Sequence, residues 1–246
     1  MRLKQFLLIE GRTKPIDQDE AISFIQENCK QALKMYNENR EIYRSITDEY
    51  KSTPFKIGDS SKFKRTSAYT KNYYTMLLDN LPEWKKFPKR SRSFIGSSTI
   101  ERATSHGGTL YVAFPIDGTK IGVCPKDDIW DSFGELRLSQ FNRFLEDFFY
   151  NLLHQYPNET NWKKLKTQFK SINKIIKANP ELIEVTFIKK YYKDNLFNAV
   201  REYLNPDKNK FQLKEIGDKL SKNKEIWWSG ITVFIKYDDK ILPRKK

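Results

Sequence analysis

The sequence predicts an α+β fold with an N-terminal helix and a helical subdomain inserted at about 136–205. Two observations carry most of that expectation. Short apolar runs with strand-like alternation recur at 41–46, 93–99, 109–114, 118–124 and 225–237. From about 136 to 205 the apolar period changes to that of helices. The last run, 225–237, is apolar enough to demand a place in a sheet built earlier in the chain, so residues 1–246 read as a single domain.

Taken in order, residues 4–9 fit a short strand or an ordered arm. Asp17 followed by Glu20 has the form of a capping box, and Ile22, Ile25, Cys29, Ala32, Leu33 and Tyr36 continue at helical spacing as one helix of about five turns. Residues 37–40 break it. Glu41 to Ile46 then reads as a strand with Arg44 inside it, and residues 47–69, with Pro54 and Gly58, read as a long loop. Lys71 to Leu81 is helical and ends at Pro82 and Trp84.

Pro115-Ile116-Asp117-Gly118 between the runs at 109–114 and 118–124 is a hairpin signal, and Asp127 and Asp128 have the place of a cap for the next segment. Phe141, Phe144, Leu145, Phe148, Phe149, Leu152 and Leu153 form one helical stripe. Trp162, Leu165, Phe169, Ile172, Ile175 and Ile176 form another, interleaved with lysines. A strand at 183–189 and a helix at 192–204 complete the insertion, and the run 225–237 reads as one strand bulged at Gly230.

Composition narrows the chemistry. With 38% hydrophobic and 14% aromatic residues the chain can fill a core, and its formal net charge of +14 favours an acidic partner, nucleic acid first. The excess of lysine over arginine equally suits a solvated surface. The densest basic cluster, Lys85, Lys86, Lys89, Arg90 and Arg92 around Phe87, suits a phosphate backbone or a charged connection.

No apolar run reaches the length of a membrane span, and the opening residues resemble neither a signal peptide nor an anchor. Cys29 and Cys124 are too few for a disulfide framework or a zinc site, so a reducing, cytoplasmic setting without metal is expected. His106 and His154 are the only histidines. There is no HExxH, no GxxxxGK[ST], no GxGxxG after a strand and no GxSxG.

What remains is an arginine on one strand, hydroxyls ending a second, and a glutamate opening a third. An arginine inside an apolar strand needs a counter-charge, either a phosphate or a nearby carboxylate. A serine can position a carboxylate, and a carboxylate can stabilise an oxocarbenium-like charge as an N-glycosidic bond breaks.

Tyr43-Arg44-Ser45, then Ser93-Phe94-Ile95-Gly96-Ser97-Ser98-Thr99 with Ala103, then Glu225-Ile226-Trp227, resemble the arginine–serine–glutamate class of ADP-ribosyltransferases, of bacterial-toxin or bacteriophage type. The likeness rests on short motifs covering about a third of the chain. It implies a split β-sheet core and NAD as substrate, with ADP-ribose passed to a nucleic acid or to a protein, and an antitoxin or other inhibitor as a candidate partner. By the resemblance Arg44 contacts the NAD phosphates and the Ser45 backbone the nicotinamide amide. Ser97 and Thr99 support the site, Ser98 is the middle hydroxyl, and Glu225 is the catalytic carboxylate.

Two features depart from the family pattern. The hydroxyls read Ser-Ser-Thr where the family has Ser-Thr-Ser. Asn223 stands where arginine-modifying members carry a second glutamate, which argues against an arginine acceptor. The long gap from Thr99 to Glu225 leaves Glu135, and more weakly Asp128, as rival carboxylates. Glu225 is preferred because a strand follows it directly. The alternative function is a non-catalytic nucleic-acid-binding protein using 85–92 and the helix at 162–177.

Overall fold

The computed structural model of the chain describes residues 13–47, 53–65, 71–105, 107–134, 137–184 and 187–237. The strand or arm expected at 4–9, together with His106 and the rival Glu135, lies outside the described residues.

Nine strands are described: β1 (Lys14–Pro15), β2 (Ile42–Ile46), β3 (Phe55–Asp59), β4 (Phe94–Ser97), β5 (Thr109–Pro115), β6 (Lys120–Val123), β7 (Gln212–Glu215), β8 (Glu225–Trp228) and β9 (Ile231–Lys236). They form one antiparallel sheet in the order β1-β3-β9-β5-β2-β4-β8-β6-β7. Eight α-helices accompany them: α1 (Gln18–Asn28), α2 (Lys30–Asn37), α3 (Tyr73–Asn80), α4 (Ile100–Thr104), α5 (Leu138–Leu153), α6 (Trp162–Ala178), α7 (Glu181–Glu184) and α8 (Leu196–Tyr203). The fold is therefore α+β, as composition and periodicity led one to expect.

The chain divides into two compact units. The first, residues up to 65, 87–128 and from 212 on, contains the whole sheet with α1, α2 and α4. The second, 66–86 and 129–211, is helical. It takes in the insertion expected at about 136–205 and adds α3 from upstream.

Within the first unit the sheet is all but divided. Between β2 and β4 the ladder is the single pair Tyr43↔Ser97, whereas β2 and β5 share five pairs and β4 and β8 share four. The sequence accounts for the close approach at that one point. A Cβ on Gly96 would lie 2.7 Å from the Tyr43 carbonyl oxygen, so a glycine lets the two backbones meet. Beyond Ser97 the chain leaves the sheet for α4.

Buried side chains from both parts of the sheet, among them Ile42, Phe94, Phe114, Trp228 and Phe234, share a core with Ile25, Cys29, Ala32 and Met35 of the N-terminal helical segment. That segment differs from the single helix expected. It breaks at Cys29, whose backbone (φ −125°, ψ 39°) is non-helical. The break has an external cause: the Asp117 carboxylate accepts from the backbone N–H of Lys30 and Gln31, capping α2 from a distant turn.

Asp117 also explains why the expected hairpin is absent. Strand β5 pairs with β2 and β9, and β6 pairs with β8 and β7, so the turn at 116–119 joins strands that are not neighbours. Its N–H donates to the Asn28 carbonyl, which ties the turn to the helices instead.

The C-terminal run is likewise two strands rather than one bulged strand. Gly230 (φ 116°) turns the chain, after which β8 lies between β4 and β6 while β9 lies between β3 and β5. The apolar terminal run does insert into the sheet, at a central position.

The expected loop at 47–69 contains β3, whose Lys56 is wholly buried with its ammonium 5.3 Å from the Tyr111 ring. In place of the strand expected at 183–189, the described residues there are helical, in α7 and a following 3₁₀ turn. Asp128 directly precedes the 3₁₀ turn Ile129–Asp131, and its carboxylate pairs with Arg102.

In the second unit Phe141, Leu145 and Phe149 of α5, Leu165, Phe169, Ile172 and Ile176 of α6, and Leu196, Val200 and Tyr203 of α8 are buried at helical spacing. Asn161 and Asn195 cap α6 and α8 through their side-chain oxygens. Trp84 satisfies its indole N–H on the Leu204 carbonyl at 2.8 Å.

Candidate active site

Strands β2, β4 and β8 are consecutive in the sheet, and they carry the three motif residues Arg44, Ser97 and Glu225. Ser97 is paired in register with Tyr43 on one side and Glu225 on the other. At this divide lies a cavity of about 200 Å³. Its walls are Tyr43, Arg44 and Ser45 from β2, Ile95, Gly96 and Ser97 from β4, and Glu225 from β8, completed by Arg65, Arg102, Ala103 and Asp127. Residues 181 positions apart in the chain thus share one hollow.

Arg44 crosses the divide. Its Nη1 donates to the carbonyl oxygen of Ile95, and its guanidinium lies 5.4 Å from the centre of the Phe94 ring. Its Nε is buried without a hydrogen-bond partner. Burial and then the neighbouring charge of Arg65 pull the guanidinium pKa down from 12.5 to about 10. A half-buried cation facing a second cation, with a donor unused, makes a site that an anion would relieve.

The Ser45 hydroxyl donates to the Ala103 carbonyl at 2.7 Å and so fastens α4 to β2. Arg102, on the same helix, reaches the Asp127 carbonyl at 3.1 Å and pairs with the Asp128 carboxylate.

The hydroxyl motif works largely on itself and on β8. Ser97 Oγ, at the end of β4, accepts from the Thr99 N–H at 3.1 Å and lies 3.4 Å from the Thr99 hydroxyl. Ser98 grips the residue before the glutamate twice: its N–H donates to the Lys224 carbonyl, and its Oγ accepts from the Lys224 N–H, both at 3.0 Å. Of the three hydroxyl residues only Ser97 lines the cavity; Ser98 and Thr99 hold its walls.

Glu225 is 6% exposed. Its Oε1 accepts from Arg90 Nη2 in a buried ion pair and from the Cys124 thiol at 3.8 Å. Asn223, two residues earlier, adopts a left-handed backbone (φ 54°), a conformation that asparagine tolerates better than most residues.

The basic cluster reads differently in three dimensions. Phe87 stacks on Trp227 at 5.9 Å, the Trp227 indole donates to the Pro88 carbonyl at 2.9 Å, and Arg90 lies over the same indole at 5.3 Å. Arg90 is therefore a buried partner of Glu225 and not part of a basic surface, which corrects its assignment as a nucleic-acid contact. Arg92 is exposed and bonds the Ser61 carbonyl, Lys89 is exposed, and Lys85 and Lys86 are exposed residues of the second unit.

Arg65 and Arg102 line the cavity without any signal in the sequence, and the pairing of Arg90 with Glu225 has none either. Arg65 sits in what reads as a loop and Arg102 in an unremarked helix. Arg90 was hidden among other cations, and only pairing across 135 residues gives it a role.

Among the described residues no cluster of three or more histidine, cysteine or acidic side chains is placed to hold a metal ion, and no helix is long and apolar enough to cross a membrane. No protein-family model matches the chain, and neither does a characterised protein or a solved structure.

Proposed function

We propose that the protein is a mono-ADP-ribosyltransferase of the toxin or bacteriophage type, which cleaves NAD at its nicotinamide glycosidic bond and passes ADP-ribose to a macromolecule. The observation that supports this most is the meeting of Arg44, Ser97 and Glu225 on adjacent strands around one cavity. Their order along the sheet matches the order of roles in the proposed reaction, and the divide at Tyr43↔Ser97 corresponds to the split core that the motifs imply.

In this reading Arg44, seconded by Arg65, binds the NAD diphosphate, whose charge answers the unused Arg44 donor. The Ser45 backbone meets the nicotinamide amide. Glu225 binds a hydroxyl of the nicotinamide-side ribose and stabilises positive charge at its anomeric carbon as the glycosidic bond breaks. The bonding pair leaves with nicotinamide, the acceptor's nucleophile bonds to the anomeric carbon, and its proton goes to water. Ser97, opposite Glu225 in the ladder, keeps the carboxylate's strand in place, and Arg90 orients the carboxylate through Oε1. Neither metal nor histidine takes part.

The test is nicotinamide release from NAD by the purified protein, alone and with RNA, DNA or cell lysate, beside Glu225→Gln. Release falling about 10²–10³-fold in the variant, with NAD still bound, is the expected result. Release unaffected by the substitution, or neither turnover nor NAD binding under any condition, would overturn the proposal. In the second case the non-catalytic nucleic-acid-binding reading takes its place.

A further inference from the structure

We infer that helix α6 is a docking line for the phosphate backbone of a nucleic acid. Its seventeen residues include six lysines and no acidic residue. Five of them, Lys163, Lys166, Lys170, Lys174 and Lys177, follow one another at steps of three or four, the spacing that keeps side chains on one face of a helix. Leu165, Phe169, Ile172 and Ile176 are buried on another face, which fixes the helix in its unit and leaves the lysine row outward. All five lysines are exposed, and among the described residues none is in an ion pair. One contact involves the row: Lys166 lies 5.6 Å from the Trp162 ring.

A solvated helix face ordinarily mixes the two signs, because like charges three and four residues apart repel one another. Here the repulsion along the row is uncompensated. At 1.5 Å per residue the row runs about 21 Å, a length over which a duplex presents a phosphate roughly every 1.7 Å along its axis, so each ammonium can meet one. The row recognises backbone charge and carries no reader of base edges, so binding along it is indifferent to sequence. The inference stands apart from the transferase reading: it concerns a surface of the helical unit and needs no NAD.

The experiment is fluorescence anisotropy of a labelled single-stranded RNA and of a labelled DNA duplex with the full chain, without NAD, over a salt series. Five neutralised phosphates give a slope of log affinity against log salt of about −4.5 for the duplex and about −3.5 for the single strand. The triple variant Lys163→Ala, Lys170→Ala, Lys174→Ala is expected to bring the duplex slope to about −1.8. The control Lys62→Ala, Lys120→Ala, Lys164→Ala removes the same charge from exposed positions off the row and is expected to leave the slope near that of the parent. Absence of binding to both probes, equal losses in the two triple variants, or binding only to anionic lipid vesicles would overturn the inference. The weaker effect, on duplex or on single strand, identifies the less suited form.

Discussion

The two sides of the cavity treat a buried arginine in opposite ways. On the β8 side Arg90 is enclosed with a carboxylate, Glu225, and the pair is closed to solvent at 3% and 8% side-chain exposure. On the β2 side Arg44 faces another cation, Arg65, and among the described residues is in no ion pair. A compensated ion pair is a fixed part of the fold, whereas an uncompensated cation beside a hollow leaves its counter-charge to be brought from outside. In the proposed reaction Arg90 accordingly holds the Glu225 carboxylate in place, and Arg44 is the cation left for the diphosphate.

The largest expected effect tests the closed side. Arg90→Met leaves Glu225 buried without its partner and is expected to lower stability by about 3–5 kcal/mol in urea unfolding. Adding Glu225→Met should restore most of that loss, because removing both charges abolishes the desolvation demand. If the single substitution has no effect on the urea midpoint, the pair is not a closed unit.

A middle-sized effect tests the seam between the sides. Gly96→Ala forces a Cβ to within 2.7 Å of the Tyr43 carbonyl at the sole β2–β4 pair, and is expected to cost roughly 1–3 kcal/mol. Hydrogen exchange should show added opening at Tyr43 and Ser97 and little change in the β3–β9 ladder. Uniform opening across the sheet would mean that the two parts act as one.

The smallest effect on stability, with the opposite sign, concerns Arg44. Its lowered pKa means that the folded state penalises the charged form below pH 10, and the penalty fades as pH rises from there toward the ordinary arginine value. Arg44→Met removes that penalty at neutral pH, so the urea midpoint is expected to stay or rise slightly while ADP binding weakens about tenfold or more. A lower midpoint with unchanged ADP affinity would make Arg44 a structural residue like Arg90.

How much of this was legible in the sequence depends on whether the deciding contacts were local. Arg44 within an apolar strand, the hydroxyls after Phe94, and Glu225 opening another strand are patterns contained in a few residues each, and they led to the cavity. The partner of each strand is not a local property. The hairpin signal at 115–118 failed because Asp117 serves helix α2 instead, and the single bulged strand failed because Gly230 sends β8 and β9 to different neighbours. Strand β3 was invisible because its second residue, Lys56, is buried over an aromatic ring, an arrangement that no alternation pattern announces. Arg90 looked like one cation among five, and only folding reveals which of them turns inward.

The point of departure of the helical segment has a consequence for comparing sequences. Val123 and Gln212, which bracket residues 124–211, are a ladder pair of β6 and β7. As far as the sheet is concerned, residues 129–211 occupy the place of a turn, while 124–128 stay with the sheet unit. Length can therefore vary within 129–211 without altering the β6–β7 register, whereas residues 124–128 are fixed by the contacts of the Cys124 thiol and the Lys126 carbonyl with Glu225. Kinship to this chain is therefore better sought in the ladder pairs around Ser97 than in the number of residues that separate one motif from the next.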